Sequence, residues 1–226
     1  AFNPLVIYGG VGLGKSHLAQ AIGNFIKVNT SNKTVLYVGS EKFTSQFLTA
    51  VKDNSTNDFI HFYQQIDVLI IDDIQFFANK QKTQDIFFHI FNHLHQNGKQ
   101  LILTSDRAPK DLENMEERLL SRFKWGLTTD LQTPDYDTRV TILQKKLHAD
   151  GIEMNEDVVR FIATNIKTNV RELEGVLTSI LAQATLNKQD ITLDLAKRTV
   201  INFVKHATKE ISLDMIQKTV CDYFEV

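Results

Sequence analysis

A chain of 226 residues with 25 basic and 27 acidic side chains has a formal charge of -2, so bulk charge gives no reason to expect a nucleic-acid partner and any such contact must be local. With 42% hydrophobic and 23% charged residues it has the make-up of a globular protein with a core to bury. The single cysteine, Cys221, excludes an internal disulfide framework and fits a reducing, cytoplasmic setting, while strand-sized apolar runs cut by charge leave no membrane span and no signal peptide to expect.

In chain order, LVIY (5–8) predicts a strand, followed by a glycine-dense loop and a helix over about 16–29. TVLYV (34–38) is a second strand, and the crossover after it is long, with helical patterns at 41–52 and 57–65. VLIID (68–72), a helix at 80–97, QLILTS (100–105), a short helix at 116–122 and GLTTDL (126–131) complete the first half. Most of these strands are apolar without strict alternation, as in parallel strands covered on both faces. The expectation is α/β: a parallel sheet of about five strands with helices on both faces and right-handed crossovers.

After Thr133-Pro134 the pattern becomes purely helical, at 136–149, 155–166, 170–186 and 193–205. An α/β domain over 1–133 and a small all-helical domain over 134–208 are therefore expected. The remaining segment, 209–226, carries the helix-like SLDMIQKTVCDYF (212–224). Because the chain opens at Ala1 without methionine and stops at Val226 within that pattern, it reads as a piece of a longer protein.

The glycines have a chemical reading. Gly9-Gly10-Val11-Gly12-Leu13-Gly14-Lys15-Ser16, with His17 behind, fits G-x-x-x-x-G-K-[ST] between a strand and a helix. Several backbone N–H groups must approach phosphate oxygens together, which requires turns with positive φ and no side chains in the way. The helix start adds its positive end; Lys15 would reach the β- and γ-phosphates, and Ser16 would ligate Mg²⁺. Downstream, VLIIDD (68–73) ends in Asp72 and Asp73. A buried carboxylate needs a cation, so Asp72 suits Mg²⁺ and Asp73 suits orienting the attacking water. Either acid alone would also serve as a helix cap or a solvated strand end.

With these residues in place, NPLVIYGGVGLGKSHL, VLIIDDIQFFANK, ILTSDR, ERLLSRFKWGL and NVRELEGVL together resemble the AAA+ module of the DnaA family of bacterial replication initiators, in order and along nearly the whole chain. The resemblance implies an AAA+ P-loop NTPase with a helical lid, binding ATP or ADP with Mg²⁺. It assigns Asp106 to sensing the γ-phosphate, although Ser105 and Asp106 equally suit capping the turn to Pro109. It makes Arg122 an arginine finger acting on a neighbouring subunit's ATP, with Arg118 as companion, whereas the helix dipole alone would explain a cation at a helix end. It assigns Arg171 to the ATP phosphates. Asn169 and Glu172 form a capping box that puts Arg171 in a first turn, against the dipole; a local rule broken this way points to function, while a surface arginine softened by Glu172 and Glu174 is the other reading.

The same resemblance makes the 41–65 insertion the wedge that forces subunits into a spiral, with groups near Lys42, Thr49, Lys52, Lys80 and Lys82 facing single-stranded DNA; solvated lysines are an equal reading. Its implied partners are further copies in an ATP-driven helical oligomer, single-stranded origin DNA, the replicative helicase and, in full-length members, acidic phospholipids. Double-stranded origin repeats are expected only through a helix-turn-helix domain beyond Val226. Asp73, one methylene shorter than glutamate, suggests slow, switch-like hydrolysis. The rivals are an AAA+ regulator or helicase loader, and a scaffold that binds ATP without cleaving it. His89 and His93 share a helix face, but without an H-E-x-x-H pattern they suit packing better than metal.

Overall fold

The β-branched and leucine-rich runs become five strands: Leu5–Tyr8 (β1), Val35–Gly39 (β2), Val68–Asp72 (β3), Gln100–Ser105 (β4) and Leu127–Asp130 (β5). In the computed structural model, which describes residues 2–30, 32–207 and 221, they form one parallel sheet in the order β2-β3-β4-β1-β5. The three inner strands are the most buried, and β3 is buried at every position. β5, at an edge, is mostly exposed. That explains why GLTTDL is the most polar of the runs.

Helices cross over between the strands: Lys15–Asn29 (α1), Ser40–Lys52 (α2), Thr56–Gln64 (α3), Gln81–Gln96 (α4) and Glu117–Phe123 (α5). Val6, Leu69, Ile71, Leu101 and Leu103 face a core with α2, α4 and α5, while Ile7, Ile70 and Ile102 face a second core with Ala19 of α1. Phe43 of α2 anchors the insertion. Its ring meets those of Phe59, Tyr63, Phe77 and Phe87 edge-on, with centroids 4.9–5.7 Å apart, a geometry that adds to simple area burial.

The chain divides into two compact units, Ala1–Gln132 and Thr133–Val226. In the second, Tyr136–Ala149 (α6), Glu156–Asn165 (α7), Val170–Asn187 (α8) and Leu193–Ala207 (α9) enclose a core that includes Leu143, Ile162, Leu173, Ile180 and Val200. Three of these helices start on side-chain caps, Asp135, Asn155 and Asn169, as their sequences favour. The expected segment at 209–226, with its helix at 212–224, lies outside the described residues except for the exposed Cys221. Among the described residues no helix is long and apolar enough to cross a membrane.

Candidate nucleotide-binding site

In the sheet, registers place three strand ends together. Tyr8 aligns with Ser105, Ile71 with Leu103, and Gly39 with Asp72. The loop after β1, the acids at the end of β3 and Asp106 after β4 therefore emerge side by side at the carboxyl edge, where open α/β sheets bind ligands.

The loop has the expected conformation. Gly9, Gly12 and Gly14 have φ of 150°, 78° and 96°, a region that L side chains avoid. Gly9 has a second constraint, since a Cβ there would lie 2.5 Å from the Leu131 carbonyl oxygen. Gly14 is the N-cap of α1 and provides no side-chain cap. The first N–H groups of that helix, which lack intrahelical acceptors, open onto the loop. The Lys15 ammonium is buried and donates to the carbonyls of Gly9 (2.9 Å) and Gly10 (2.8 Å). Val11 and His17 are exposed; Leu13 is half-buried, with its side chain against Gly9 and Gly10.

Asp72 is buried and its carboxylate is surrounded by hydroxyls. Ser16 Oγ donates to Oδ1 at 3.0 Å, Thr104 Oγ1 donates to the same oxygen, and the Tyr37 hydroxyl donates to Oδ2. Burial, followed by the bond to Asp72, pushes the Tyr37 phenol above its usual range. Hard oxygen donors on a hydroxyl and a carboxylate in direct contact match what Mg²⁺ takes from a protein. The residues present fit that ion.

Asp73 sits at φ 57°, ψ 56° and starts a 3-10 turn, Ile74–Phe77. Its N–H donates to Thr104 Oγ1 at 2.9 Å, and its carbonyl accepts from Ser40 Oγ at 2.6 Å. Gln75 then bridges two acids. Its Nε2 donates to Asp73 Oδ1 (3.0 Å), and its Oε1 accepts the Asp106 N–H (3.2 Å). The Arg107 guanidinium donates twice to the Asp106 carboxylate, at 2.9 Å each, and this holds Asp106 below the usual carboxylate range, with a smaller contribution from the charge of Lys15. Ser105 Oγ also accepts the Arg107 N–H at 3.4 Å.

Arg122 lies on α5, its Nε donating to the Asn92 side-chain oxygen at 2.8 Å. Arg118 is paired with Asp85 and Glu116. In the helical unit Asn169 accepts the Glu172 N–H at 2.8 Å and donates to the Glu172 carboxylate at 2.9 Å. Arg171 is exposed in the first turn of α8, with no ion-pair partner among the described residues. Also among the described residues, no group of three or more His, Cys, Asp or Glu gathers around a metal position.

Sequence reasoning missed Tyr37, Thr104, Ser40 and Gln75. The available signal was a polar side chain in an otherwise apolar strand: Thr104 is fully buried in β4.

The sequence pattern of the bacterial DnaA ATPase domain matches residues 1–130, more than half of the chain. The chain belongs to this family. A chromosomal replication initiator protein DnaA of Flavobacterium psychrophilum is 59% identical over 226 residues, 100% of this chain and 47% of that protein. The Chlorobaculum tepidum protein of the same name is 53% identical, over 100% of this chain and 46% of its own length. The chain thus spans about half the length of the curated relatives it matches.

Among solved structures, domain III of the Thermotoga maritima replication initiation protein DnaA superposes with a TM-score of 0.86 at 40% identity, covering 90% of this chain and 85% of that one. A replication initiator DnaA bound to AMPPCP and single-stranded DNA superposes with a TM-score of 0.72 at 35% identity, over 99% of this chain and 65% of the other. The FIGL-1 AAA domain, at 12% identity and a TM-score of 0.68, shares the fold. The family's AAA+ fold and its ATPase domain are those of the first unit.

Proposed function

We propose that this chain is the ATP-dependent switch module of a chromosomal replication initiator, binding ATP with Mg²⁺, assembling with further copies on single-stranded origin DNA, and hydrolysing slowly to end that state. One observation carries the reading: the Ser16 hydroxyl at the loop and the Asp72 carboxylate at the next-but-one strand are in hydrogen-bond contact, at the edge that also carries the positive-φ glycines and the start of α1.

The chemistry follows from the residues. Loop amides and the start of α1 bind the phosphates, and Lys15 adds a charge that leaves its two carbonyl partners when phosphate oxygens compete. Ser16 and Asp72 would hold Mg²⁺, which would supply charge neutralisation at the phosphates. Asp73, braced by Gln75, orients water toward the γ-phosphate. Asp106, joined to the same Gln75 through its N–H, reports on that phosphate. Arg122 acts on the nucleotide of a second copy, and Arg171 is a further phosphate contact; both carry charge that no carboxylate among the described residues cancels. Supporting the DNA partner is the relative bound to AMPPCP and single-stranded DNA. On this chain the α2–α3 insertion, with exposed Lys42, Thr49 and Lys52, is the surface assigned to that strand. The replicative helicase is a further partner of this reading, and acidic phospholipids and double-stranded repeats are partners of full-length family members.

Sedimentation with labelled single-stranded DNA tests this. ATP with Mg²⁺ is expected to produce large protein–DNA species and ADP only small ones. Equal species with either nucleotide contradict an ATP-gated assembly.

A further inference from the structure

Arg122 is held unlike most arginines of this chain. Arg107, Arg118, Arg160 and Arg198 each pair with a carboxylate. Arg139 donates to the carbonyls of Ala163 (2.8 Å) and Pro134 (2.7 Å). Arg122 instead rests on aromatic faces, its Cζ 3.8 Å from the ring centroid of Trp125 and 5.4 Å from that of Phe88. Its Nε is fixed by the neutral amide of Asn92. Among the described residues no acid pairs with it and neither Nη has a hydrogen-bond partner.

The distinction has a physical consequence. A carboxylate would fix a guanidinium but cancel its charge, and that pair would have to break before a phosphate could be met. A π-face and an amide oxygen fix it and leave the charge intact. Arg118, one turn earlier, shows the other arrangement: it lies over Phe88 at 4.5 Å but is neutralised by Asp85 and Glu116. The support under Arg122 is itself steadied. The Trp125 backbone N–H donates to the Arg122 carbonyl at 3.1 Å, and the His95 ring centroid lies 5.0 Å from that of the indole.

We propose that Asn92 and Trp125 are positioning residues for Arg122, holding its guanidinium at one place on the surface with its charge uncancelled, so that it meets the phosphates of ATP bound to a second copy without first breaking an ion pair. This rests on the reading of Arg122 as acting in trans and adds the device that prepares it. It also makes Trp125, the only tryptophan of the chain, a built-in reporter of that guanidinium.

The test is ATP hydrolysis at rising protein concentration, with thermal melting as the check on folding. Arg122→Ala is expected to abolish the concentration-dependent stimulation and to alter the tryptophan emission of the dilute protein. Asn92→Asp is the discriminating variant. It keeps the size of the side chain and tightens the local hold by an ion pair, so a purely structural role predicts no loss. The proposal predicts a melting temperature at or above that of the wild type and a stimulation reduced about tenfold. Trp125→Ala is expected to lose stimulation about fivefold, while Trp125→Phe, which keeps a π-face, stays within about twofold. Wild-type stimulation in both Asn92→Asp and Trp125→Ala, with Arg122→Ala defective, overturns the positioning roles and leaves the trans-acting arginine standing. Full stimulation in Arg122→Ala overturns the reading beneath it, and the positioning roles with it.

Discussion

Ser16 Oγ and Asp72 Oδ1, 56 positions apart in sequence, are 3.0 Å apart in the structure. The Asp72 carboxylate also accepts from Tyr37 and Thr104, so its orientation is set before any cation arrives. Partners that orient a metal ligand contribute about 10–100-fold to metal affinity. Tyr37→Phe is therefore expected to weaken Mg²⁺ binding in the presence of ATP by about tenfold at the low end of that range, read by titrating Mn²⁺ as a paramagnetic stand-in. Unchanged Mn²⁺ affinity would remove Tyr37 from the site.

Asp73 distinguishes an ATPase from a scaffold. Its carboxylate is anchored on one oxygen by Gln75. Asp73→Asn keeps shape and the loop, so ATP affinity is expected to stay within a few-fold of wild type. Phosphate release under single-turnover conditions should fall by about 10²-fold, the scale of a lost general base. If release is unaffected, Asp73 does not orient the water.

Asp106 carries a pH signature. Arg107 holds its pKa below the ordinary carboxylate value. A depressed folded-state pKa contributes stability above the unfolded value, and this is lost as pH falls through the folded one. Arg107→Ala should move the Asp106 titration upward toward the ordinary value, followed by carbon NMR of the carboxyl group. The pair is partly solvated, so melting at neutral pH should change little.

Tyr63 gives the opposite sign. It is almost fully buried, donates to Gln46 Oε1 at 2.7 Å, and burial pushes its pKa up to about 12. Against an unfolded value of about 10, its stabilising contribution is complete below pH 10 and lost as pH rises toward 12. Denaturant midpoints measured across that window should fall in the wild type and fall less in Tyr63→Phe. Parallel profiles would place the alkaline loss elsewhere.

Local signals carried the fold a long way. Strand ends at Tyr8, Asp72 and Ser105 were legible because glycine or charge interrupts each apolar run. The loop was legible because its chemistry requires an ordered set of residue types. Arg171 stood out because it opposes a helix dipole. Tyr37, Thr104 and Gln75 were not legible, because their meaning depends on β3 lying between β2 and β4, a neighbour relation no local pattern encodes. The 3-10 turn after Asp73 was invisible for the same reason: Ser40 and Thr104 hold its left-handed start from other segments. Nor does the run SRFKWGL say that Arg122 is held by rings and an amide, since Asn92 and Phe88 come from α4.

Calorimetric titration of ATP into the purified chain, with Mg²⁺ and with chelator, tests the central claim most directly when wild type is compared with Asp72→Ala. The account predicts that chelation weakens wild-type binding by roughly tenfold or more and leaves Asp72→Ala, already weak, unchanged. Wild-type binding that ignores Mg²⁺, or an Asp72→Ala variant that responds to it as the wild type does, would contradict a metal shared between the glycine loop and the acidic strand end.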